Sequence, residues 1–270
     1  MLHPGESLRS PRILQLRWEN GDADRACNLF RRTMFAHILP RINGQLVWPP
    51  IAHLSTAFYE LNASNEQNVL SHLESLRGLG FEMFWLDAYW TGPSGFPNSM
   101  GNYMTGYLNA AIKAYKLSCL RIDYNIDPLA FWRFMDTQAP NRVGLTEMRY
   151  VEGLYRMWDD VLQANPGLFI DNCASGGRRI DLETMSRSLP LWRSDNTCDM
   201  LDLKPATVLA AARKNQLMSV GLNRYVPFST VGQMGAAPYL FRSGFNAGIA
   251  FAEDVRPKGY PRDLDRKSVV

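Results

Sequence analysis

The chain has only four cysteines in 270 residues, Cys27, Cys119, Cys173 and Cys198, and no two form a CxxC pair. That spacing argues against a structural zinc site and, with no secretion signal in the opening residues, against a disulfide framework. Histidine is equally scarce. His3, His37, His53 and His72 contain no HExxH or other metal-spaced pair, so no metal is expected. An excess of one charge is lacking too: 29 basic and 26 acidic residues leave a formal charge of +3 with no block of like charges. Nucleic acid is therefore not an expected partner, and a small neutral or weakly charged ligand is. No apolar run approaches the roughly 18 residues that read as a membrane span, and residues 1–6 hold no signal-peptide core. The expectation is a soluble, cytoplasmic chain with no membrane contact. Neither the GxGxxG nor the P-loop pattern is met, and no internal repeat or low-complexity segment occurs.

What is present is enough apolar material, 46% of the residues, for one large core or two modest ones. Residues 1–45 read as a strand at 12–18 and a helix at 23–38 that Pro40 ends. The strand-like residues 44–51 are interrupted by Pro49 and Pro50, which puts their end at a sheet edge or barrel mouth. Ser64 with Gln67 predicts a capping box opening a helix whose apolar stripe is Val69, Leu70, Leu73 and Leu76. Strand, Gly/Pro-rich loop and helix follow at 81–90, 91–98 and 107–115, then a strand at 119–125. The longest amphipathic stripe runs from Leu145 to Leu162, and Pro166-Gly167 separates it from a strand at 168–173. A short helix at 180–188 and a strand at 191–196 come next. Asp202 reads as the cap of a helix carrying Val208, Leu209, Ala212 and Leu217, and residues from Glu253 onward read as a frayed charged tail. The division expected is an N-terminal segment 1–45, a (β/α) barrel domain 46–252 and a tail 253–270.

Several of these strands end in an acid. Arg121, Asp123 and Asn125 share one face of their strand, and Arg193 and Asp195 share one face of theirs. A cation two residues before Asp123 should favour its ionised form. Any one strand-end aspartate is more often a salt bridge or helix cap than a catalyst. Two such acids from distant segments, however, are what a two-carboxylate glycosidase uses. Alternation of helices with strands that end in acids suggests a TIM-type (β/α) barrel whose strands each contribute one polar residue to a common mouth.

Four ordered stretches, Leu86-Asp87-Ala88-Tyr89-Trp90, residues 120–125, residues 171–181 and residues 192–197, resemble motifs of the α-galactosidases of glycoside hydrolase family 36. The resemblance implies a retaining mechanism with Asp123 as nucleophile and Asp195 as acid/base, their carboxyls roughly 5–5.5 Å apart. It also implies substrate-binding roles for Asp87, Trp90, Arg121, Asn125, Cys173, Gly176 and Arg193, an α-galactoside or oligosaccharide substrate, and no cofactor. Three departures from the family pattern stand out. Ala88 replaces the second of two sugar-binding acids, Arg121 stands in the place of a lysine, and a strand with its helix is missing between Tyr103 and Thr105. The barrel is accordingly expected to be incomplete, with about seven strands, and to cover its exposed edges with a second copy. The alternatives are a related α-glycosidase, a galactosyl-transferring enzyme and a vestigial, non-catalytic sugar-binding barrel.

Overall fold

The computed structural model of the chain describes residues 2–54, 65–87, 104–139, 141–197, 204–228, 230–233, 235 and 237–260. The segment 12–18 makes no strand, because no neighbouring strand offers it a ladder. It lies extended over the surface, where Arg12 Nε donates to Glu183 Oε1 at 2.6 Å and Ile13 and Trp18 are exposed. Helix α1, Ala23–Thr33, starts at Asp22, whose carboxylate accepts from the Arg25 N–H at 3.0 Å. It continues through a π-helical turn, Met34–Ile38, and stops before Pro40. A hairpin then joins β1, Arg41–Ile42, to β2, Gln45–Leu46, through Asn43 at φ 51° and Gly44 at φ 78°. Asn-Gly is the preferred pair for such a two-residue turn.

Strand β3, Ile51–Leu54, begins directly after Pro49-Pro50. Helix α2, Glu66–Leu76, is capped by Asn65, and the expected cap Ser64 lies outside the described residues. Its buried side chains are His72 and Leu76, whereas Leu70 and Leu73 are exposed. The inward face is set by what the helix meets, the aromatic layer of Phe84 and Phe251, not by its apolar count. Next come β4 (Met83–Trp85), α3 (Thr105–Tyr115), β5 (Cys119–Asp123) and α4 (Leu129–Thr137), the last not anticipated from sequence. Helix α5, Leu145–Ala164, matches the long stripe and buries Trp158 and Val161. It leads to β6 (Phe169–Cys173), α6 (Leu182–Met185) and β7 (Ser188–Leu189). The remaining elements are α7 (Pro205–Val220), β8 (Gly232–Gln233), α8 (Pro238–Ser243) and β9 (Ile249–Phe251). Asp202 lies outside the described residues and Lys204 is the N-cap of α7, which buries Ala211, Ala212, Asn215 and Ser219 while Leu209 and Leu217 face out.

Among the described residues, seven strands form two parallel sheets, one in the order β4-β3-β9-β8 and the other β5-β6-β7. The earliest parallel strand, β3, therefore bonds to the last, β9. Between the two sheets no ladder bonds occur among the described residues, and side chains bridge instead. Arg121 of β5 stacks 5.0 Å from the centre of the Trp85 ring, and Thr230 Oγ1 donates to Leu191 O. One buried cluster draws on both sheets, with Ala52, Leu54 and Trp85 packed together with Cys173, Leu189, Trp192 and Ala250. A second, with Leu120, Ile122, Ile170, Leu108 and Trp158, seals β5 and β6 against α3 and α5. Residues 253–260 are not frayed: Val255 is fully buried, Glu253 O lies 3.0 Å from His53 Nε2, and Tyr260 Oη donates to Glu253 Oε2 at 2.7 Å. No helix among the described residues is long and apolar enough to cross a membrane.

His53 gives this packing a pH dependence. Burial among Phe81, Phe84 and Phe251 lowers its pKa from 6.5 to about 4, burial outweighing the Glu253 carbonyl that favours the charged form. A base depressed in the folded state contributes stability that is complete above its unfolded value and is lost as pH falls toward the folded one. Between pH 6.5 and 4 the chain is therefore expected to lose about 3 kcal/mol through this residue. Urea denaturation at pH 7 and pH 4.5 checks it: His53→Gln should show a smaller pH-dependent loss than the wild type, and identical losses would refute the assignment.

Candidate active site

The parallel ladder of β5 with β6 sets Arg121 opposite Asp171 and Asp123 opposite Cys173. Alternation then turns Leu120 and Ile122 into the helix-facing cluster and leaves Arg121 and Asp123 on the other face. The register places a guanidinium and a carboxylate from adjacent strands side by side. Arg121 Nη1 donates to Asp171 Oδ2 at 2.5 Å, and Arg121 Nε donates to Asp87 Oδ1, at the end of β4, at 3.0 Å. Asp123 Oδ2 is a more distant partner, 3.8 Å from Nη2, and Nη2 makes no hydrogen bond among the described residues. One cation, with 3% of its side chain exposed, thus serves three acids. Burial opposes its charge, but Asp87, Asp171 and Asp123 together outweigh burial and hold Arg121 protonated well above the usual range.

The carboxylates behave differently from the expectation for Asp123. Its pKa is raised: burial is the larger effect and overcomes the lowering by Arg121, with the charge of Asp87 adding to the rise. The reason is geometric, since Arg121 spends its closest contacts on the other two acids. Asp171 is raised as well, again by burial against Arg121. Asp195 is raised by partial desolvation of its carboxyl and then by the charges of Asp123 and Asp87. Asp195 thus shares an electrostatic environment with Asp123 although its residue stands exposed at the rim.

Asp195 does not lie on a strand. Strand β7 ends at Leu189 because Pro190 has no N–H to donate, and the chain runs extended to a 3₁₀ turn, Asp195–Thr197. Its course is held from β6 and the turn after it. The Leu191 N–H donates to Asp171 Oδ1 at 2.9 Å, and the Gly177 N–H donates to Arg193 O at 3.0 Å. Gly176 has φ 83°, and a Cβ there would lie 2.7 Å from Ser194 Cα, so a side chain is excluded where this turn meets the acid-bearing segment. Its close approach is to backbone rather than to an open pocket. Arg193 Nη1 reaches Gly177 O at 3.4 Å, and burial lowers its pKa against the opposing influence of Tyr225.

Asn125 is committed to the protein through its oxygen: Oδ1 accepts from the Ser175 N–H at 2.6 Å and from Ser175 Oγ at 2.8 Å. The same N–H lies 3.4 Å from Asp123 Oδ1, so Asn125 docks the turn onto that carboxylate. Cys173 is fully buried and its thiol is pushed well above its usual range, by burial first. Trp90 and Ala88 lie outside the described residues. Asp171 and Ser175 were not among the residues expected here. Asp171 was legible as the alternate position before Cys173 on its strand, whereas Ser175 carries no pattern that would single it out.

Two parallel sheets converging on a carboxylate-rich cluster around one buried arginine define an α/β protein with an acid-rich candidate site. The melibiase family signature matches residues 96–207. The α-galactosidase AgaA of Geobacillus stearothermophilus is 35% identical over 65 residues, 24% of this chain and 9% of the relative. In three dimensions the chain is similar to AgaA in complex with 1-deoxygalactonojirimycin, with a TM-score of 0.68 and 14% identity over 91% of this chain and 44% of that one. The α-galactosidase of Lactobacillus brevis matches with a TM-score of 0.64 and 17% identity over 91% and 43%. A further AgaA structure, in complex with raffinose, matches with a TM-score of 0.63 and 15% identity over 91% and 44%. The chain is thus similar to the melibiase family over residues 96–207 and to family 36 α-galactosidases in fold, and it spans less than half the length of these solved relatives.

Proposed function

We propose that this chain carries the catalytic portion of a retaining glycoside hydrolase that cleaves terminal α-galactosides, built as a seven-stranded, incomplete (β/α) barrel. Asp123 is the nucleophile and attacks the anomeric carbon while protonated Asp195 gives its proton to the leaving oxygen. In the second step Asp195 takes a proton from water, the water oxygen bonds to the anomeric carbon, and the bond to Asp123 breaks. The observation that carries this reading is the placing of the two acids within reach of one another: Asp195 holds its proton more tightly through desolvation first, and then through the charges of Asp123 and Asp87. Asp87, Trp90, Arg121, Asn125, Cys173 and Arg193 form the sugar-binding surround in this reading, and Gly176 lets the turn pack against the backbone that carries Asp195. Asn125 also hydrogen-bonds the Asp123 carboxyl and so supports the nucleophile in this reading. Raffinose and stachyose, present in complexes of the similar AgaA structures, are the substrates to try first. The free thiols of Cys27, Cys119 and Cys173 support a reducing, cytoplasmic setting.

Proton NMR of p-nitrophenyl α-galactoside during turnover tests the mechanism. The first galactose released should be the α anomer; the β anomer as first product would overturn the double displacement. A sugar-binding barrel without turnover is the second reading, favoured by the absence of ladder bonds between β4 and β5 among the described residues. Galactose binding with no hydrolysis between about pH 4 and 8, the range in which raised carboxyls titrate, would select it.

A further inference from the structure

The β6–β7 ladder reaches only from Ile170↔Ser188 to Asp171↔Leu189 and then stops, two residues into β7. Beyond Pro190 the segment leading to Asp195 has lost its strand partner, yet the proposed mechanism needs it to hold an acid in a set position relative to Asp123. The Asp171 carboxylate takes over at this point. Its Oδ1 accepts from the Leu191 N–H at 2.9 Å and its Oδ2 accepts from Arg121 Nη1 at 2.5 Å, so one fully buried side chain ties both segments together. Arg121 lies two residues before Asp123 on its strand, and Leu191 opens the run that ends at Asp195. Asp171 is also the cross-strand neighbour of Arg121, so the tie is as rigid as the β5–β6 ladder that carries it.

We infer that Asp171 is the positioning residue of the proposed two-acid site: through Arg121 and the Leu191 amide it sets the spacing and charge balance of Asp123 and Asp195 without touching substrate. The role of the two acids rests on the hydrolase reading, whereas the tie between the two segments does not.

Its negative charge matters as much as its hydrogen bonds. In Asp171→Asn an acceptor for Leu191 remains, while Arg121 loses one of its close carboxylates and turns more of its charge onto Asp123. Asp123 should then titrate at lower pH than in the wild type. Asp171→Glu keeps the charge but moves the carboxylate by one methylene, which should leave the Asp123 titration near its wild-type position and loosen the Leu191 contact.

The test is carboxyl ¹³C NMR titration of Asp123 in the whole chain, with kcat and KM measured alongside. For Asp171→Asn the expected result is a downward shift of the Asp123 midpoint and of the acid limb of kcat, a kcat loss of about 10²-fold, and KM changed by less than about threefold, since a misplaced reacting group costs roughly that much in rate. Asp171→Glu should restore the midpoint but not kcat. A folded Asp171→Asn chain with the wild-type Asp123 midpoint overturns the proposal. A wild type with no turnover on any α-glycoside would end the hydrolase reading alone; the Asp123 midpoint would still decide the role of Asp171.

Discussion

Asp123→Ala is expected to lower kcat on p-nitrophenyl α-galactoside by roughly 10⁴- to 10⁶-fold, the range seen when the nucleophile of a covalent mechanism is removed. Alanine at this position leaves the β5–β6 ladder intact, because Asp123 pairs through its backbone and its side-chain contacts with Ser175, Asn125 and Arg121 are separate from those ladder bonds. The loss should therefore fall on kcat with the fold retained, which circular dichroism verifies. Asp195→Ala should separate by substrate. With a sugar leaving group, loss of the proton donor costs roughly 10²- to 10⁴-fold. With p-nitrophenolate, which departs without a proton, glycosylation continues, and the intermediate on Asp123 accumulates because water lacks its base. Mass spectrometry of the quenched protein should then find one hexose on the peptide containing Asp123. Retention of more than a tenth of wild-type kcat by Asp123→Ala would end the nucleophile assignment.

The acid limb of the wild-type profile belongs in this reading to Asp123, which must lose its proton, and the basic limb to Asp195, which must keep one. Both groups are raised from 3.8, by burial or desolvation first, so both limbs should lie above the ordinary carboxylate range. Activity rises as pH climbs through the first and falls through the second.

Arg121→Met is expected to destabilise the chain by roughly 3–5 kcal/mol at pH 7, the cost of leaving buried charges without their partner. Three carboxylates depend on this one group, two of them at 3.0 Å and 2.5 Å, and Asp87 and Asp171 are almost wholly buried. The sign of the pH dependence follows. Without Arg121 the folded pKa values of Asp123 and Asp171, already raised by burial, rise further, so the deficit is largest at neutral pH and shrinks as pH falls through those values. Urea denaturation at pH 7 and pH 5 measures both quantities. Arg121→Lys should recover only part of the stability, because an ammonium is a single point charge and cannot present separate N–H groups along the fork that Asp87 and Asp171 grip. A variant as stable as the wild type at pH 7 would refute the dependence of the buried carboxyls on Arg121.

The residue types that meet at the candidate site were legible early. Arg121, Asp123 and Asn125 share a strand face in any β geometry, and the acid-ending strands carry the family pattern without coordinates. The long helix at 145–164 was equally plain, because a 20-residue amphipathic stripe has few other ways to bury its apolar side. Legibility failed where a partner decides. Residues 12–18 look like a strand yet have none beside them, and Leu70, Leu73, Leu209 and Leu217 look like core yet face outward. Helix α4 went unseen because Leu129, Phe131, Phe134 and Met135 are exposed and give no inward stripe to recognise. Asp195 was expected on a strand, but Pro190 breaks the ladder and an acid on the neighbouring strand replaces it.

By itself the sequence determined which residue types stand at the strand ends, because period-two alternation and the spacing of the motifs are properties of the chain alone. Only the tertiary structure decided how charge is apportioned among them. A guanidinium offers few well-directed contacts, and the register of β5 on β6 together with the approach of Asp87 assigns the close ones to Asp87 and Asp171. Asp123 is left at 3.8 Å, where burial prevails over attraction and its carboxyl is raised instead of lowered.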